Sequence, residues 1–368
     1  MSSENTIYCI KCGTKNNINN NYCIKCGTKL IKNISENSKV NLNKNEIFLD
    51  TATKKINKWT GEDKAIKLDI PHLFSQVLKK HSKQEADEIF IVGTNKTTPS
   101  LKEISEQPVT PWVYSRVLLV MLSVVALLWI VKYVFGNNIV SMSLIFFSGF
   151  TVPITLLIFF FETNAFKNIS IFETFKMFLI GGALSLISTM FLYEIIDTNN
   201  FSFIGAILIG IIEETGKLLI VIYYINKNNY SHIFNGMLVG AAVGAGFAAF
   251  ENVGYVGATN LTVAVLRSFT SIGGHAIWTA ILGAAIVIIK KDNLFTWNML
   301  FNNRFIRFYL LVVIMHGLWD DDIHFESIKI ISLIVVGWIV ILVLIHAGLR
   351  EIKQIHKNIS IEEANEKV

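Results

Sequence analysis

The apolar positions of the chain are concentrated in its last two thirds. Residues 1–107 are rich in Lys, Asn, Glu and Ser, whereas long apolar runs follow one another from Trp112 to Leu349. A run of roughly 20 apolar residues is long enough for a helix to cross a bilayer. We therefore predict an all-α polytopic membrane protein with about eight transmembrane helices. The predicted spans lie near residues 112–135, 139–161, 172–196, 201–225, 233–256, 269–289, 305–321 and 328–349.

Composition and charge agree with this pattern. The chain is 52% hydrophobic and 17% charged, which is less polar surface than a soluble domain of 368 residues needs. The net charge of +5 is modest and spread out, so no nucleic-acid partner is expected. Positive residues beside the spans favour cytosolic termini, because cytosolic loops carry the excess of Lys and Arg. The inner flanks then hold Arg116, Lys167, Lys176, Lys227, Lys290, Lys291, Arg304, Arg307, Arg350 and Lys353, and the outer flanks Lys132, Arg267 and Lys329.

The polar amino-terminal region contains a repeated cysteine motif. Residues 8–15 and 22–29 are both YCIKCGTK, which gives two Cys-x-x-Cys-Gly turns with ten residues between the pairs. Paired thiolates on tight turns are the ligands of a tetrahedral four-cysteine zinc site. Two disulfides are the alternative, but they need an oxidising compartment, and no signal-peptide core precedes this region. We predict a zinc ribbon over residues 1–32, with one structural zinc held by Cys9, Cys12, Cys23 and Cys26. Its binding partner is not evident.

Residues 33–107 are expected to form a cytosolic linker followed by a small ordered segment. The first part is rich in Asn and Lys and has little to bury. Further on, Leu73, Phe74, Val77 and Leu78 share a helical face, and residues 89–92 (IFIV) favour a short strand. The membrane domain is then predicted over residues 108–350, with a cytosolic tail at 351–368.

Four polar motifs interrupt the predicted spans, although each ionisable group in hydrocarbon costs a few kcal/mol. They are E-E-x-x-K in the fourth span, F-x-x-x-E-N in the fifth, a histidine after two glycines in the sixth and H-x-x-x-D in the seventh. Their polar residues are Glu213, Glu214, Lys217, Glu251, Asn252, His275, His316 and Asp320. A buried ion pair with one protonated Glu is the purely structural alternative for the first motif. Each histidine alone would be an ordinary core residue.

The depths of these motifs favour a shared site. At about 1.5 Å per residue, Glu213 lies roughly 18 Å from the outer end of its span, and Glu251, His275 and His316 roughly 8–10 Å. The chain alternates direction, so side chains from four helices converge in the outer half or at the midplane. Carboxylates, imidazoles and a lysine in a low-dielectric cavity are the parts of a hydrolytic site.

The four motifs, in this order and on these spans, resemble those of the PrsW family over roughly residues 150–325. That family comprises bacterial intramembrane proteases that cut single-span proteins such as anti-sigma factors, and it is similar to the CAAX prenyl endoproteases. The resemblance implies a multi-pass protein of a bacterial cell membrane that hydrolyses peptide bonds of membrane-spanning substrates. CAAX proteases carry a histidine where this chain has Glu251, so their histidine-based role does not transfer to that position.

Two mechanisms stay open for such a site. In both, Glu213 or Glu214 takes a proton from water while Lys217 keeps one of the pair ionised. In the first, Glu and His alone activate the water without a metal, and His316 or Asn252 stabilises the oxyanion. In the second, which we favour, His275, His316 and a Glu bind a catalytic zinc. The chain has no H-E-x-x-H motif, so this metal site would be assembled across helices.

Two other classes of function use similar residues. A proton-coupled transporter would employ buried Glu, His and Lys as a proton relay. Transporters often contain inverted repeats, and no convincing repeat relates the two halves of this chain. A non-catalytic membrane sensor would have the ribbon as its working part, but it has no physical reason to keep costly buried charges.

Overall fold

The computed structural model describes residues 6–8, 14–17, 20, 24–25, 44–196, 203–254, 265, 268–321 and 326–365. The chain forms two compact units, Met1–Leu49 and Asp50–Val368. In the first unit, strands β1 (Thr6–Tyr8) and β2 (Lys15–Asn17) pair antiparallel, with Ile7 opposite Asn16. The predicted zinc ligands Cys9, Cys12, Cys23 and Cys26 lie outside the described residues, and the ribbon stays a prediction.

The described part of the second unit is mostly helical, as the long apolar runs predict. Helix α1 (Lys44–Thr60) begins just before this unit. The other helices are α2 (Ile70–Leu73), α3 (Lys83–Phe90), α4 (Val113–Tyr133), α5 (Ser141–Thr163), α6 (Ile171–Lys176), α7 (Gly182–Ile195), α8 (Phe203–Lys227), α9 (Ile233–Gly254), α10 (His275–Lys290), α11 (Asn303–Asp320) and α12 (Glu326–Asn365). A π-helical turn (Met177–Gly181) joins α6 to α7. Short 3-10 turns are found at Ser271–Gly273 and Trp297–Phe301.

Within the described residues, six helical segments are long and apolar enough to cross a membrane. They are Val113–Tyr133, Ser141–Thr163, Ile171–Ile195, Ile233–Gly254, Ser268–Lys290 and Ser327–Asn365. These coincide with six of the eight predicted spans. The other two, 201–225 and 305–321, form α8 and α11, which each carry at least three charged residues. The polytopic all-α architecture is therefore confirmed, and the count of eight stays a prediction.

The burial of the spans separates a centre from a periphery. In α9, 94% of the most apolar stretch is buried inside the protein, against 17% in α4. Helices α5 and α10 pack against α9 and are themselves largely buried. Several apolar side chains of α4 are exposed on the outside of the protein, among them Leu119, Val120 and Leu127. The polar motifs lie on or beside the buried helices.

Close packing of α9 on α10 sets the register of one part of the site. A Cβ atom on Gly236, Gly240 or Gly244 would lie 2.1–2.4 Å from a carbonyl oxygen of α10. Small residues at every fourth position let two membrane helices approach in this way. The same face of α9 continues three and seven residues after Gly244 to Phe247 and Glu251. It therefore leads Glu251 to the start of α10, where His275 is the first residue.

Two expectations for the segment before the membrane helices are wrong. Ile89 and Phe90 end α3 and are not part of a strand, because a capping box between Ser82 and Glu85 starts a helix there and Phe90 stacks on Phe161. A short apolar run does not by itself distinguish a strand from a helix end. The predicted helical face at residues 73–78 is also incomplete. Helix α2 ends at the buried Leu73, and Leu78 is exposed.

A buried carboxylate joins the first two membrane helices. Glu162, near the end of α5, accepts hydrogen bonds from the backbone N–H groups of Trp112, Val113 and Tyr114 at 2.8–2.9 Å. These groups at the start of α4 have no partner within the helix. Glu162 is therefore a structural cap, and its burial needs no catalytic explanation.

Candidate active site

The centre of the site is a buried lysine on α8. Lys217 Nζ lies 2.8 Å from Glu214 Oε1 and 3.4 Å from Glu213 Oε2. Lys217 and Glu214 are fully buried, and Glu213 is 8% exposed. Spacings of three and four residues along one helix let a single lysine reach both carboxylates. Lys217 is thus paired with both Glu213 and Glu214.

Helices α9 and α10 bring a second carboxylate and the first imidazole to this lysine. Lys217 Nζ is 2.7 Å from His275 Nδ1, and His275 Nε2 is 2.7 Å from Glu251 Oε2. An ammonium group can only donate, so His275 Nδ1 accepts the hydrogen bond from Lys217. The proton of a neutral His275 then lies on Nε2, which donates a hydrogen bond to Glu251. The ring of Phe247 covers the ammonium, with its centroid 4.1 Å from Nζ.

Helix α11 supplies the second imidazole. His316 Nδ1 lies 2.8 Å from Glu214 Oε1. Its Nε2 lies 3.2 Å from Asp320 Oδ2 and 3.6 Å from Glu213 Oε2. Both ring nitrogens of His316 therefore face carboxylates. The ring centres of His275 and His316 are 5.0 Å apart.

Among the predicted site residues, the structure brings seven together and directs the eighth elsewhere. Glu213, Glu214, Lys217, Glu251, His275, His316 and Asp320 form one connected network. The side-chain amide of Asn252 instead donates to the backbone carbonyl of Gly149 on α5, at 3.4 Å. Asn252 follows Glu251 directly, so the two side chains point about 100° apart around α9.

Two aromatic residues of the site were not predicted from the sequence. Tyr193, on α7, donates from its hydroxyl to Glu213 Oε1 at 3.1 Å. Trp278 is fully buried, and its ring centre lies 4.8 Å from that of His316 and 5.2 Å from that of His275. Trp278 comes one turn after His275, which is a usable signal. Tyr193 belongs to no polar motif, and nothing in the sequence around it pointed to the site.

The donor atoms of this network fit a metal ion. Glu213, His275 and His316 each offer one ligand atom, these atoms lie within 4.8 Å of one another, and all three residues are buried. One carboxylate and two imidazoles are a ligand set of catalytic zinc. In addition, Glu214 Oε2 is buried and has no hydrogen-bond partner among the described residues. The network contains four carboxylates and one lysine, so its charges favour a cation.

Comparison with known proteins assigns the helices that carry the site to one family. Residues 140–346 match the family described as PrsW family intramembrane metalloprotease. Protease PrsW of Geobacillus kaustophilus is 23% identical over 185 residues, which cover 47% of this chain and 76% of that protein. Protease PrsW of Halalkalibacterium halodurans is 26% identical over 196 residues, or 50% and 88%.

A third relative has the same name as the first two. Protease PrsW of Clostridioides difficile is 25% identical over 178 residues, which cover 45% of this chain and 73% of that protein. No solved structure matches the chain. The family match covers more than half of the 368 residues and includes every member of the network. The protein is therefore a membrane-embedded protease, and it belongs to the PrsW family of intramembrane metalloproteases.

Proposed function

We propose that this protein hydrolyses peptide bonds of membrane-spanning proteins at the network around Lys217, with water activated by a buried glutamate. The observation that supports this proposal is a set of three short contacts that join helices α8, α10 and α11. Lys217 Nζ lies 2.8 Å from Glu214 Oε1 and 2.7 Å from His275 Nδ1, and His316 Nδ1 lies 2.8 Å from Glu214 Oε1. A site for proton transfer in the membrane needs such groups in hydrogen-bond reach and away from bulk water.

Glu214 is the residue best suited to act as general base. Its Oε1 is held by Lys217 and His316, each at 2.8 Å, which fixes the carboxylate. Its Oε2 has no hydrogen-bond partner among the described residues, so it can accept a hydrogen bond from water. Lys217 stabilises the ionised carboxylate, which must be deprotonated to take that proton. The proton accepted by Glu214 can then be passed to the leaving amine.

Glu213, His275 and His316 are proposed to hold the catalytic metal, for which each histidine would exchange one of its present hydrogen bonds. When bound there, the metal would polarise the scissile carbonyl as a Lewis acid and favour loss of a proton from water. Each imidazole also has a carboxylate partner that orients the ring. Glu251 accepts from His275 Nε2 at 2.7 Å, and Asp320 faces His316 Nε2 at 3.2 Å. Partners of this kind fix the ring and raise its basicity.

The substrate and the amino-terminal region are part of the same proposal. Substrates are membrane-spanning regulatory proteins, with anti-sigma factors as the class suggested by the resemblance of the motifs. The zinc ribbon at residues 1–32 binds a partner outside the membrane, and residues 33–107 connect it to the protease domain at 108–350. The match to the PrsW family does not favour the transporter or the sensor.

The proposed location is a bacterial cell membrane with both termini in the cytosol. Support comes from the Lys and Arg residues beside the predicted inner ends of the spans. With this orientation, the ribbon cysteines face the reducing cytosol, which suits zinc ligands better than disulfides.

Cleavage of a single-span substrate reconstituted with the protein in liposomes tests the function. Glu214→Gln keeps the shape of the side chain and removes the base, so cleavage should fall by about 10²–10⁴-fold. Glu194→Gln makes the same change at an exposed position on α7 and should leave cleavage unchanged. Full activity of Glu214→Gln would contradict the proposed base. Proton flux through the wild type that is lost in Glu214→Gln, without cleavage by either, would instead favour a transporter.

A further inference from the structure

The two carboxylate oxygens of Glu213 have different partners, and Tyr193 bonds to one of them. Its hydroxyl donates to Oε1 at 3.1 Å. The other oxygen, Oε2, lies 3.4 Å from Lys217 Nζ and 3.6 Å from His316 Nε2. Glu213 therefore turns one oxygen toward α7 and the other toward the histidine side of the network. A carboxylate held in this way offers a single oxygen to a cation beside His316.

The packing of α7 against α8 explains why Tyr193 reaches Glu213. A Cβ atom on Gly216 would lie 2.4 Å from Thr189 Oγ1 and 3.0 Å from its backbone nitrogen, so only glycine permits this approach. Ser188 Oγ donates to the carbonyl of Gly216 at 2.9 Å. The two helices are antiparallel at this contact. One turn onward along α7 is Tyr193, and one turn back along α8 is Glu213.

An irregular turn sets which side of α7 faces α8. The π-helical turn Met177–Gly181 comes directly before Gly182. It contains one residue more per turn than an α-helix, so it changes the rotation of all later residues by about 100°. Just after it, a Cβ atom on Gly182 would lie 2.6 Å from the backbone of Gly246 on α9. This contact fixes the turn against the core, and Tyr193 faces Glu213 as a result.

We propose that Tyr193 is a positioning residue for the metal site, acting by fixing Glu213 so that Oε2 alone is presented beside His316. The inference rests on the proposed role of Glu213 as a metal ligand. The phenol acts through Glu213 and does not itself contact the reacting atoms. Hydrogen-bond partners of metal ligands contribute about 10–100-fold to metal affinity or activity.

Zinc binding by the full-length protein in detergent tests this proposal. Zinc retained per chain is measured over a series of chelator-buffered free zinc concentrations, for wild type, Tyr193→Phe, Tyr309→Phe and Glu213→Gln. The ribbon cysteines are the same in every variant, so differences report the membrane site. Tyr309 is the matched control, because its hydroxyl also bonds to α8, at 2.7 Å from Thr215 Oγ1, but not to a carboxylate of the network.

Tyr193→Phe should weaken zinc binding by about 10–100-fold, and added zinc should restore its cleavage rate. Tyr309→Phe should bind zinc as the wild type does. Wild-type zinc affinity in Tyr193→Phe, together with weakened binding in Glu213→Gln, would overturn the role of Tyr193 and leave the metal site intact. Wild-type affinity in Glu213→Gln would overturn the role of Glu213 as a ligand, and this inference with it.

Discussion

Lys217 and His275 are 58 residues apart in the chain, yet Lys217 Nζ lies 2.7 Å from His275 Nδ1. This contact links the helix that carries the two adjacent glutamates to the helix that begins with the first histidine. It also defines the state of His275, because a lysine ammonium can only donate to Nδ1. The second nitrogen of the ring is then available to bond with Glu251.

Removing the positive charge at the centre of the network should destabilise the protein. Lys217→Met leaves Glu213 and Glu214 without their buried cation, and breaking a buried ion pair in this way costs about 3–5 kcal/mol. A lower midpoint of thermal unfolding in detergent is the expected result. Lys132→Met provides the control, since Lys132 is near the end of α4, where it donates to the uncharged side chains of Asn138 and Ser141, and its replacement should be neutral. Equal stability of both variants would contradict the role of Lys217.

We expect the carboxylate of Asp320, which faces His316, to matter more for catalysis than the carboxylate of Asp321. Asp320→Asn keeps the shape but removes the charge that faces His316 Nε2 at 3.2 Å. Loss of such a partner lowers activity or metal affinity by about 10–100-fold. Asp321→Asn makes the same change one residue later, at a carboxylate outside the ion pairs of His316 with Glu213, Glu214 and Asp320, and should cleave substrate at the wild-type rate. The cleavage assay in liposomes distinguishes the two, and similar rates for both would rule out the proposed orienting role.

Close packing of α9 on α10 should be necessary for the site. Gly240→Ala puts a Cβ atom 2.1 Å from the carbonyl oxygen of Thr279, whereas Gly254→Ala meets nothing within 4 Å. Overpacking of this kind costs about 1–3 kcal/mol. Separation of the helices should also disturb the contact of Glu251 with His275. We expect lower thermal stability and slower cleavage for Gly240→Ala alone. An unchanged midpoint of thermal unfolding in that variant would mean that α9 and α10 can move apart without loss of stability.

The amino-terminal cysteines should bind zinc independently of the membrane site. Cys12→Ser should lower the zinc content by one ion per ribbon and leave the thermal unfolding of the membrane domain unchanged. Lys11→Ser, between the same two cysteines, should retain the metal. Elemental analysis of the purified chains measures both. Disulfides between these cysteines in intact cells would end the hypothesis.

The orientation in the membrane can be measured by labelling single introduced cysteines. Asn137→Cys, between α4 and α5, should react with an impermeant reagent added to intact cells. Asn228→Cys, between α8 and α9, should react only after permeabilisation. Both positions are exposed on the protein, so access to the reagent decides the result. Labelling of Asn228→Cys in intact cells would invert the topology.

The sequence by itself determined the helical architecture and nearly all the polar members of the site. A long apolar segment can satisfy all its backbone groups by itself in a membrane only as a helix, so the predicted spans follow from local hydrophobicity alone. Costly ionisable groups within those runs identified Glu213, Glu214, Lys217, Glu251, His275, His316 and Asp320. The error at residues 89–92 arose because four apolar residues fit the end of a helix as well as a strand.

Only the tertiary structure decided which of these groups touch. The helical period gives the face of each residue on its own helix, but contacts between helices depend on where their backbones approach and how each is rotated. Gly240 and Gly244 set that approach for α9 and α10, and Gly216 for α7 and α8. The π-helical turn before α7 adds a rotation that no periodic pattern reveals. For that physical reason the contact of Tyr193 with Glu213 was missed. Asn252 faces Gly149 because it lies about 100° from Glu251 around α9.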